Sequence, residues 1–429
     1  MFIQIANSLL LTFVIAVTSL ASAKDAPAQD GAAQESVPKA ATELNAGEGT
    51  GKLAAALTKD GTDHPAGEEP ITPEQEVAIK AFVEARQNWV ESMIRMKSLS
   101  VRYNNDEARS PAMKAEYEAA RDVARKLMNE TFQKAVELFR LRKGDYETGA
   151  MMATVLEYRK SFSIYENSRE AAELLIETDV TFPFLYLIAA RASFIDGKYD
   201  RVMVHYQSFV DLNGHEKLEK IDNVIANILD AYPELWAREQ ALREADAKAD
   251  DLPRVLLETT RGPVTLELFE NQAPNTVANF IKLVEDGYYD GSDFYQVVDD
   301  FIAMGGDPVG DGTGTSGRFI PDENKHPDAR GFFRGSISMA VMPDQRDKTK
   351  NVPNTASSQF AIALMPFLRK DEPKTIFGRV IEGMDVVSTF RRIDPSEKKE
   401  KSVQLPPDRI KSAKVIRKRD HEYNVKYVD

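Results

Sequence analysis

Three hydrophobic patterns follow one another along the 429-residue chain. Residues 5–17 are almost continuously apolar. Residues 72–247 repeat apolar side chains every three to five positions, which is typical of amphipathic helices. From Val255 onward, apolar and polar residues partly alternate, which is typical of β-strands. The pattern predicts a multidomain α + β protein, with a helical domain over 72–250 and a mainly β domain over 252–418.

The N-terminal apolar run is short for a membrane span, which needs about 20 residues. Small residues at Ala21 and Ala23 follow it, as in a signal-peptide cleavage site. The sequence predicts a signal peptide over residues 1–23, cleaved after Ala23. The mature protein would then be periplasmic or extracellular, with no stable membrane insertion. An uncleaved anchor or a buried helix remain alternatives, because no Lys or Arg lies in the first 20 positions.

Residues 24–70 contain no aromatic side chain and are rich in Ala, Gly, Pro and charged residues. Such a segment buries too little apolar surface to offset the entropy of ordering. We expect a disordered acidic linker. Residues 419–429 at the other end form a short polar tail with no evident role.

Helix-start signals open the helical domain. Thr72, Pro73 and Gln75 form a capping pattern with a proline at the first helical position. Ser110-Pro111 repeats the start signal. Further helices are expected at about 146–163, 168–178, 183–195, 198–211 and 217–245.

The portion over 184–210 weakly resembles a tetratricopeptide helix pair, with small and aromatic residues around a Gly-Lys-Tyr-Asp turn at 197–200. A stable stack needs about three repeats. A plain helical bundle is the alternative interpretation.

Composition excludes several kinds of chemistry. There is no cysteine, so disulfides and thiolate metal sites are absent. The net charge of −13 disfavours nucleic acid as a partner. The five histidines are scattered without metal-ligand spacing. We expect no metal and no cofactor.

Three stretches of the β domain carry a chemical signature. The first is Ala-Pro-Asn-Thr-Val-Ala-Asn-Phe at 273–280. The second is FYQVVDDFIAMGGDP at 294–308. The third comprises Met339-Ala340, then residues 353–360, and closes with Thr-Ile-Phe-Gly-Arg-Val at 375–380.

The order and spacing of these stretches resemble cyclophilins, which are peptidyl-prolyl isomerases. The resemblance implies a closed eight-stranded antiparallel β-barrel with two capping helices. It also implies catalysis of rotation about X–Pro amides, which requires no bond breaking. An apolar pocket holds the proline ring, and a hydrogen-bond donor stabilises the twisted amide.

The resemblance assigns site residues position by position. The family's arginine donor falls at Gln296, its second pocket phenylalanine at Ala361 and its rim histidine at Lys374. Met304 replaces a glutamine, and Ile302 stands where methionine is common. The predicted catalytic residues are Gln296, Phe301 and Gln359, and the predicted substrate-binding residues are Ile302, Met304, Ala340, Phe360, Ala361, Phe367, Leu368 and Lys374.

A loop over 341–352 is longer than is usual in the family and carries several charges. It is either a lid or specificity element, or a tolerated insertion. The sequence as a whole favours an exported isomerase of reduced efficiency that acts on unfolded or proline-containing polypeptides. Alternatives are a binding module for Pro-containing segments with little turnover, or a helical scaffold with an auxiliary cyclophilin domain. The helical domain is in either case a candidate arm for a client or protein partner.

Overall fold

The structure, a computed structural model, describes residues 71–105, 110–178, 182–213, 218–347, 350–366, 374–394 and 406–428. The signal peptide and the linker predicted for 1–70 therefore lie outside the described residues. The described chain divides into two compact units. One comprises 71–158 and 171–178, and the other comprises 159–170 and 182–428. The border between the units thus runs inside the helical region, whereas the sequence predicts a domain boundary near 250.

The first unit is built on two long helices, α1 (Pro73–Asn105) and α2 (Pro111–Leu141), which pack along each other. The predicted starts are confirmed. The Thr72 hydroxyl accepts a hydrogen bond from the Gln75 amide, and the Gln75 side chain accepts one from the Thr72 amide. The Ser110 hydroxyl accepts from the Met113 amide. Large apolar side chains between α1 and α2 are buried, among them Phe82, Trp89, Met96, Phe132 and Phe139.

Two helices cross the border between the units, α3 (Tyr146–Ser161) and α4 (Arg169–Ile176). Four more helices belong wholly to the second unit, namely α5 (Pro183–Ile195), α6 (Tyr199–Asn213), α7 (Lys220–Ile228) and α8 (Tyr232–Ala249). A single helix over 217–245 was a wrong prediction, because Pro233 starts a new helix as its second residue and has no N–H to continue the previous one.

The helices of the second unit share a core with its β part. Phe194, Tyr206 and Tyr232 of the helices lie in one buried cluster with Phe333 and Met365, which lie between strands of the β region in sequence. The Tyr232 hydroxyl donates a hydrogen bond of 2.6 Å to the Phe332 carbonyl. These helices therefore pack directly on the β region.

The β region contains eight strands, which are β1 (Arg254–Thr259), β2 (Gly262–Leu268), β3 (Gln296–Val298), β4 (Ile302–Gly305), β5 (Ser336–Met339), β6 (Phe360–Ala363), β7 (Ile376–Glu382) and β8 (Ile410–Arg417). They form one antiparallel sheet in the order β3-β4-β6-β5-β7-β2-β1-β8. Two helices, α9 (Pro274–Glu285) and α10 (Met384–Ser388), bury apolar side chains against it.

The two end strands of this sheet, β3 and β8, do not form a ladder with each other. Val297 of β3 exchanges two backbone hydrogen bonds of 2.9 Å with Ile393. Near β3, residues 291–294 form backbone hydrogen bonds with Asp408 and with Ile410, the first residue of β8. The prediction of a closed barrel was wrong in this detail, and the sheet is a half-barrel. The reason is that the segment carrying Ile393 occupies the outer edge of β3.

Residues 419–428 pack on the half-barrel. Tyr423, Val425 and Tyr427 contact its core, and the Val428 amide donates to the Phe319 carbonyl at 2.9 Å. The sequence indicated no role for this segment, whereas the structure places it against the core. Within the described residues, no helix combines the length and apolar character needed to cross a bilayer.

Candidate active site

The two faces of strands β3, β4, β6 and β5 have opposite characters. One face carries Val297, Ala303, Ile362 and Ile337, which are fully buried in the half-barrel core. Successive side chains of a strand point to opposite faces. The neighbours of these core residues therefore lie on the opposite, outer face. Gln296 and Met304 are half-buried there, whereas Ala361 and Ser338 are buried.

A row of residues crosses that outer face in register. Gln296 of β3 lies opposite Met304 of β4, Met304 opposite Ala361 of β6, and Ala361 opposite Ser338 of β5. Directly opposed residues in antiparallel strands have Cβ atoms about 4.5–5.5 Å apart. The fold thus brings together three predicted site residues, Gln296, Met304 and Ala361, from three strands.

Gln296 is half-buried in this row. Across the residues that the structure describes, its side-chain amide makes no hydrogen bond. A glutamine amide offers two N–H donors and one carbonyl acceptor. Its donors are therefore available to a ligand on the outer face.

Gln359 has a different environment. Its Oε1 atom accepts a hydrogen bond of 2.6 Å from the Tyr295 hydroxyl. Its Nε2 atom donates to the carbonyls of Gly312 (3.1 Å) and Gly314 (2.7 Å). Burial raises the pKa of Tyr295, which keeps its hydroxyl protonated as a donor. The Gln359 side chain thus ties the glycine-rich loop over 305–317 to the sheet.

Phe301 closes the turn between β3 and β4. Its amide donates to the Val298 carbonyl at 3.2 Å, and its carbonyl accepts from the Leu364 amide at 2.8 Å. Ile302 follows on the same face as Met304 and lies opposite Ala363. The half-buried side chains of Ile302 and Met304 supply apolar surface on the face of Gln296. Phe301, just before them in sequence, is also half-buried.

Comparison with known proteins identifies this arrangement. The family model described as "Cyclophilin type peptidyl-prolyl cis-trans isomerase/CLD" matches residues 254–415. The peptidyl-prolyl cis-trans isomerase-like 1 of Neurospora crassa is 39% identical over 173 residues, which cover 39% of this chain and 97% of that protein. The chain belongs to the cyclophilin-type peptidyl-prolyl isomerase family. Its enzyme class is accordingly peptidyl-prolyl isomerase.

Other relatives match the same region. A peptidyl-prolyl cis-trans isomerase of Synechococcus elongatus is 40% identical over 146 residues, which cover 33% of this chain and 92% of that protein. A crystal structure of a cyclophilin-type isomerase from Cryptosporidium parvum is 30% identical and covers 38% of this chain and 97% of its own, with a TM-score of 0.32. The same protein has also been solved in the presence of the dipeptide Ala-Pro, with a TM-score of 0.31.

Phe360 does not lie on the outer face with Gln296, Met304 and Ala361. It is fully buried on the core face and packs against Phe280, Tyr289 and Phe294. Its prediction as a substrate-binding residue was wrong. The physical reason is the alternation of the strand, since only the next residue, Ala361, points to the outer face.

The remaining predicted residues either flank strands β5 and β6 or lie outside the residues that the structure describes. The Ala340 amide donates to the Gln359 carbonyl at 2.9 Å, so Ala340 lies beside the start of β6. Lys374 directly precedes Thr375, whose carbonyl accepts from the Met339 amide of β5 at 3.0 Å. Phe367 and Leu368 lie outside the described residues.

The 341–352 loop folds back on itself at its base. The Val352 amide donates to the Met342 carbonyl at 2.8 Å, and Pro343 and Asn351 form a bridge. Met342 and Val352 are both about two-fifths exposed. The loop continues the strand that ends beside Ala340, and it presents apolar side chains to solvent there.

Sequence reasoning missed the residues of the turn before Phe301. Asp299 and Asp300 accept hydrogen bonds from side chains of the helical region. One signal was present in the sequence. Arg191 is the only charged residue of the apolar helix α5, and a buried arginine requires an acidic partner. Among the described residues, no group of three His, Asp or Glu side chains is placed to hold a metal ion.

Proposed function

We propose that this protein is an exported peptidyl-prolyl isomerase that acts on X–Pro bonds of polypeptide clients with a weakened catalytic donor. The observation that carries the proposal is the row of Gln296, Met304 and Ala361 on the outer face. Phe301 lies in the turn that joins β3 to β4. Family membership supports the reaction. The side chains of the row support the statement about efficiency.

The reaction demands little of the protein chemically. The barrier to rotation about the amide is about 18–20 kcal/mol and comes from resonance. Phe301, Ile302 and Met304 provide the apolar surface for the proline ring. An amide N–H of Gln296 then donates to the substrate amide as it twists and its charge distribution changes. A donor that bonds the twisted amide more strongly than the planar one lowers the barrier.

Gln296 is a weaker donor than the arginine that the family resemblance implies at this position. Arginine provides a charged, forked set of donors, whereas glutamine provides a neutral amide. The difference corresponds to about 1.5–3 kcal/mol of transition-state stabilisation. That is a factor of roughly ten to more than a hundred in rate. Ala361 also removes one wall of the pocket, which reduces contact with the ring.

Residues around the row complete the proposed groove. Ala340 and the 341–352 loop border the peptide, with Met342 and Val352 as apolar contacts for its side chains. The family resemblance implies pocket roles for Phe367 and Leu368, which lie outside the described residues, and a rim position for Lys374. Gln359 contributes by holding the glycine-rich loop in place, because its own amide is engaged with Tyr295, Gly312 and Gly314.

Export is supported by the apolar run at 5–17 and by the small residues Ala21 and Ala23. The clients would be unfolded or proline-containing chains outside the cytoplasm. N-terminal sequencing of the protein from a secretion-competent host tests this part. A mature chain that begins at Lys24 supports export with cleavage. A chain that retains Met1 and stays in the cytoplasm contradicts it.

The catalytic proposal is tested with the full chain and a Xaa-Pro peptide whose cis–trans exchange is followed by NMR. Gln296→Ala should lower kcat/KM about fivefold or more, since one hydrogen bond to the reacting amide is lost. Gln240→Ala removes the same side chain from an exposed position of α8 and should leave the rate unchanged. Equal rates for the wild type, both variants and buffer would refute an isomerase function.

One alternative has an observation in its favour. The neutral Gln296 and the small Ala361 also suit a module that binds proline-containing segments with little turnover. Titration of the same peptide distinguishes the two functions. Peptide binding that shifts the resonances of Gln296 without accelerated exchange favours the binding module. Accelerated exchange that Gln296→Ala reduces favours the isomerase.

A further inference from the structure

The turn that joins β3 and β4 holds an unusual residue. Asp300 has a φ of +47°, in the left-handed region, and is 8% exposed. A residue other than glycine in this region costs of order 1–3 kcal/mol and persists where its surroundings hold it. Aspartate tolerates the conformation better than most residues because its short side chain bonds locally. Here, however, its carboxylate bonds to distant residues.

Both oxygens of Asp300 are bound by the helical part of the same compact unit. The Tyr165 hydroxyl donates to Oδ1 at 3.0 Å, and Nη1 of Arg191 donates to Oδ2 at 3.1 Å. Tyr165 and Arg191 are buried almost completely. Arg191 comes from α5, which is 109 positions away along the chain. The turn is therefore held by side chains from outside the sheet.

Arg191 is itself fixed in orientation. Its Nε and Nη2 atoms donate to the two oxygens of Asp222 at 2.8 and 2.9 Å. Nη2 also donates to Glu219 at 2.8 Å, and Nη1 also donates to the Tyr165 hydroxyl at 3.0 Å. All five N–H groups of the guanidinium thus have acceptors. We call Tyr165, Arg191, Asp222 and Asp300 the turn clamp.

The charges of the clamp depend on one another. Burial raises the pKa of the Asp300 carboxyl, and the Arg191 guanidinium acts in the opposite direction.

Asp299, the preceding residue, accepts hydrogen bonds from the Ser163 hydroxyl at 2.8 Å and from Nε of Arg392 at 2.9 Å. Side chains therefore hold both central residues of the turn.

The position of the turn decides the position of the groove residues. Gln296 lies two residues before Val298, where the turn begins, and Phe301 ends it. The Phe301 carbonyl also accepts a hydrogen bond of 2.8 Å from the amide of Leu364, just after β6. A shift of Asp300 would displace Phe301 and loosen this bond.

We infer that the turn clamp positions Phe301 for proline binding, so that helices α5 and α7 are a working part of the isomerase site. This inference rests on the proposed function. It makes Tyr165, Arg191, Asp222 and Asp300 positioning residues, since none of them touches the substrate. A fragment of the β region alone would accordingly lack part of its active site.

The decisive experiment compares two tyrosine variants in the full chain. Tyr165→Phe removes a hydroxyl that bonds to Asp300. Tyr232→Phe removes a similarly buried hydroxyl that bonds the helices to the Phe332 carbonyl, away from the turn. Both variants lose one hydrogen bond between the helices and the β region. Activity is measured on protein that is fully folded by circular dichroism.

Tyr165→Phe should lower kcat/KM about fivefold, and Tyr232→Phe should leave it within about twofold. Amide hydrogen exchange of Leu364 should accelerate in Tyr165→Phe and not in Tyr232→Phe. Equal behaviour of the two variants in both measurements would overturn the inference. If the wild type shows no turnover, the proposed function fails, and the exchange of Leu364 still decides whether the clamp positions Phe301.

Two variants of Asp300 provide a second test. Asparagine tolerates the left-handed conformation and can still accept the hydrogen bond from the Tyr165 hydroxyl. Alanine tolerates the conformation less well and has no side-chain acceptor. Asp300→Asn should therefore retain more activity than Asp300→Ala. Equal kcat/KM in two folded variants would contradict the inference. If Asp300→Ala does not fold, the tyrosine pair remains the test.

Discussion

The β3–β4 turn and the 341–352 loop both extend from strands of the groove, and they are held in opposite ways. Asp300 in the turn is buried and bonded to Tyr165 and Arg191. The described part of the loop has backbone bonds at its base, and Met342 and Val352 are about two-fifths exposed. Side chains from distant parts of the sequence fix the position of the turn. Contacts between residues that are close in sequence fix the position of the loop. One border of the proposed groove is therefore held by the helical region, and the other by contacts within the described part of the loop and at its base.

The largest effect should follow from removal of the clamp cation. Arg191→Met leaves Asp222 and Asp300 buried without their positive partner, which typically costs 3–5 kcal/mol or so. Arg346→Met makes the same exchange at an exposed position of the loop and should change stability by less than about 0.5 kcal/mol. Urea unfolding measures both. A loss of similar size in the two variants would remove the contrast between turn and loop.

A smaller loss of stability is expected at the glycine-rich loop over 305–317, which Gln359 ties to the sheet. Tyr295→Phe removes the hydrogen bond to Gln359 and should lower the free energy of unfolding by about 1 kcal/mol. The Gln359 amide then becomes freer to turn away from Gly312 and Gly314, so exchange at this loop should accelerate. Tyr288→Phe is the matched control, because its hydroxyl bonds to Ser358 instead. The hypothesis fails if both variants change exchange at Gly312 equally.

The 341–352 loop should respond only locally. In Asp344→Ala the amide of Arg346 loses its acceptor, which lies at 2.7 Å, at a cost of about 0.5–1 kcal/mol. Hydrogen exchange should accelerate at Arg346 and Asp347 and stay unchanged at Leu364. Faster exchange at Leu364 would show that the two borders are coupled.

The smallest effect concerns the packed C-terminal segment. The ring of His421 bonds to the Glu422 carbonyl and to the Glu270 carboxylate, and these contacts raise its pKa. Because the pKa of His421 is higher in the folded state, its contacts stabilise the folded protein. This stabilisation is complete below the ordinary pKa of about 6.5 and is lost as the pH rises through the folded pKa. An NMR titration should show the pKa of His421 falling in Glu270→Gln. An unchanged pKa would show that Glu270 has no effect on the ring.

Local patterns of the sequence were sufficient to predict where two helices start and to which family the chain belongs. Thr72 and Ser110 cap helices because the capping contacts lie within three residues. Motif order led to the cyclophilin domain, which the comparisons confirm. Predictions for the signal peptide, the export and the roles of Phe367 and Leu368 stay predictions.

Long-range contacts and strand faces were harder to predict. Arg191 and Asp300 lie 109 positions apart, so no local pattern joins them. Phe360 and Ala361 are adjacent in the motif, and only the register of β6 shows that one faces the core and the other the groove. The half-barrel likewise depends on Ile393, which lies outside every motif and pairs with the edge of β3.

We propose that the row on the outer face is a proline-isomerisation site whose donor is weakened at Gln296. Gln296→Arg in the full chain tests this most directly, with exchange of a Xaa-Pro peptide and its affinity measured side by side. We expect a rise in kcat/KM of about tenfold or more, with little change in peptide affinity. An unchanged or lower rate in the folded variant would contradict it.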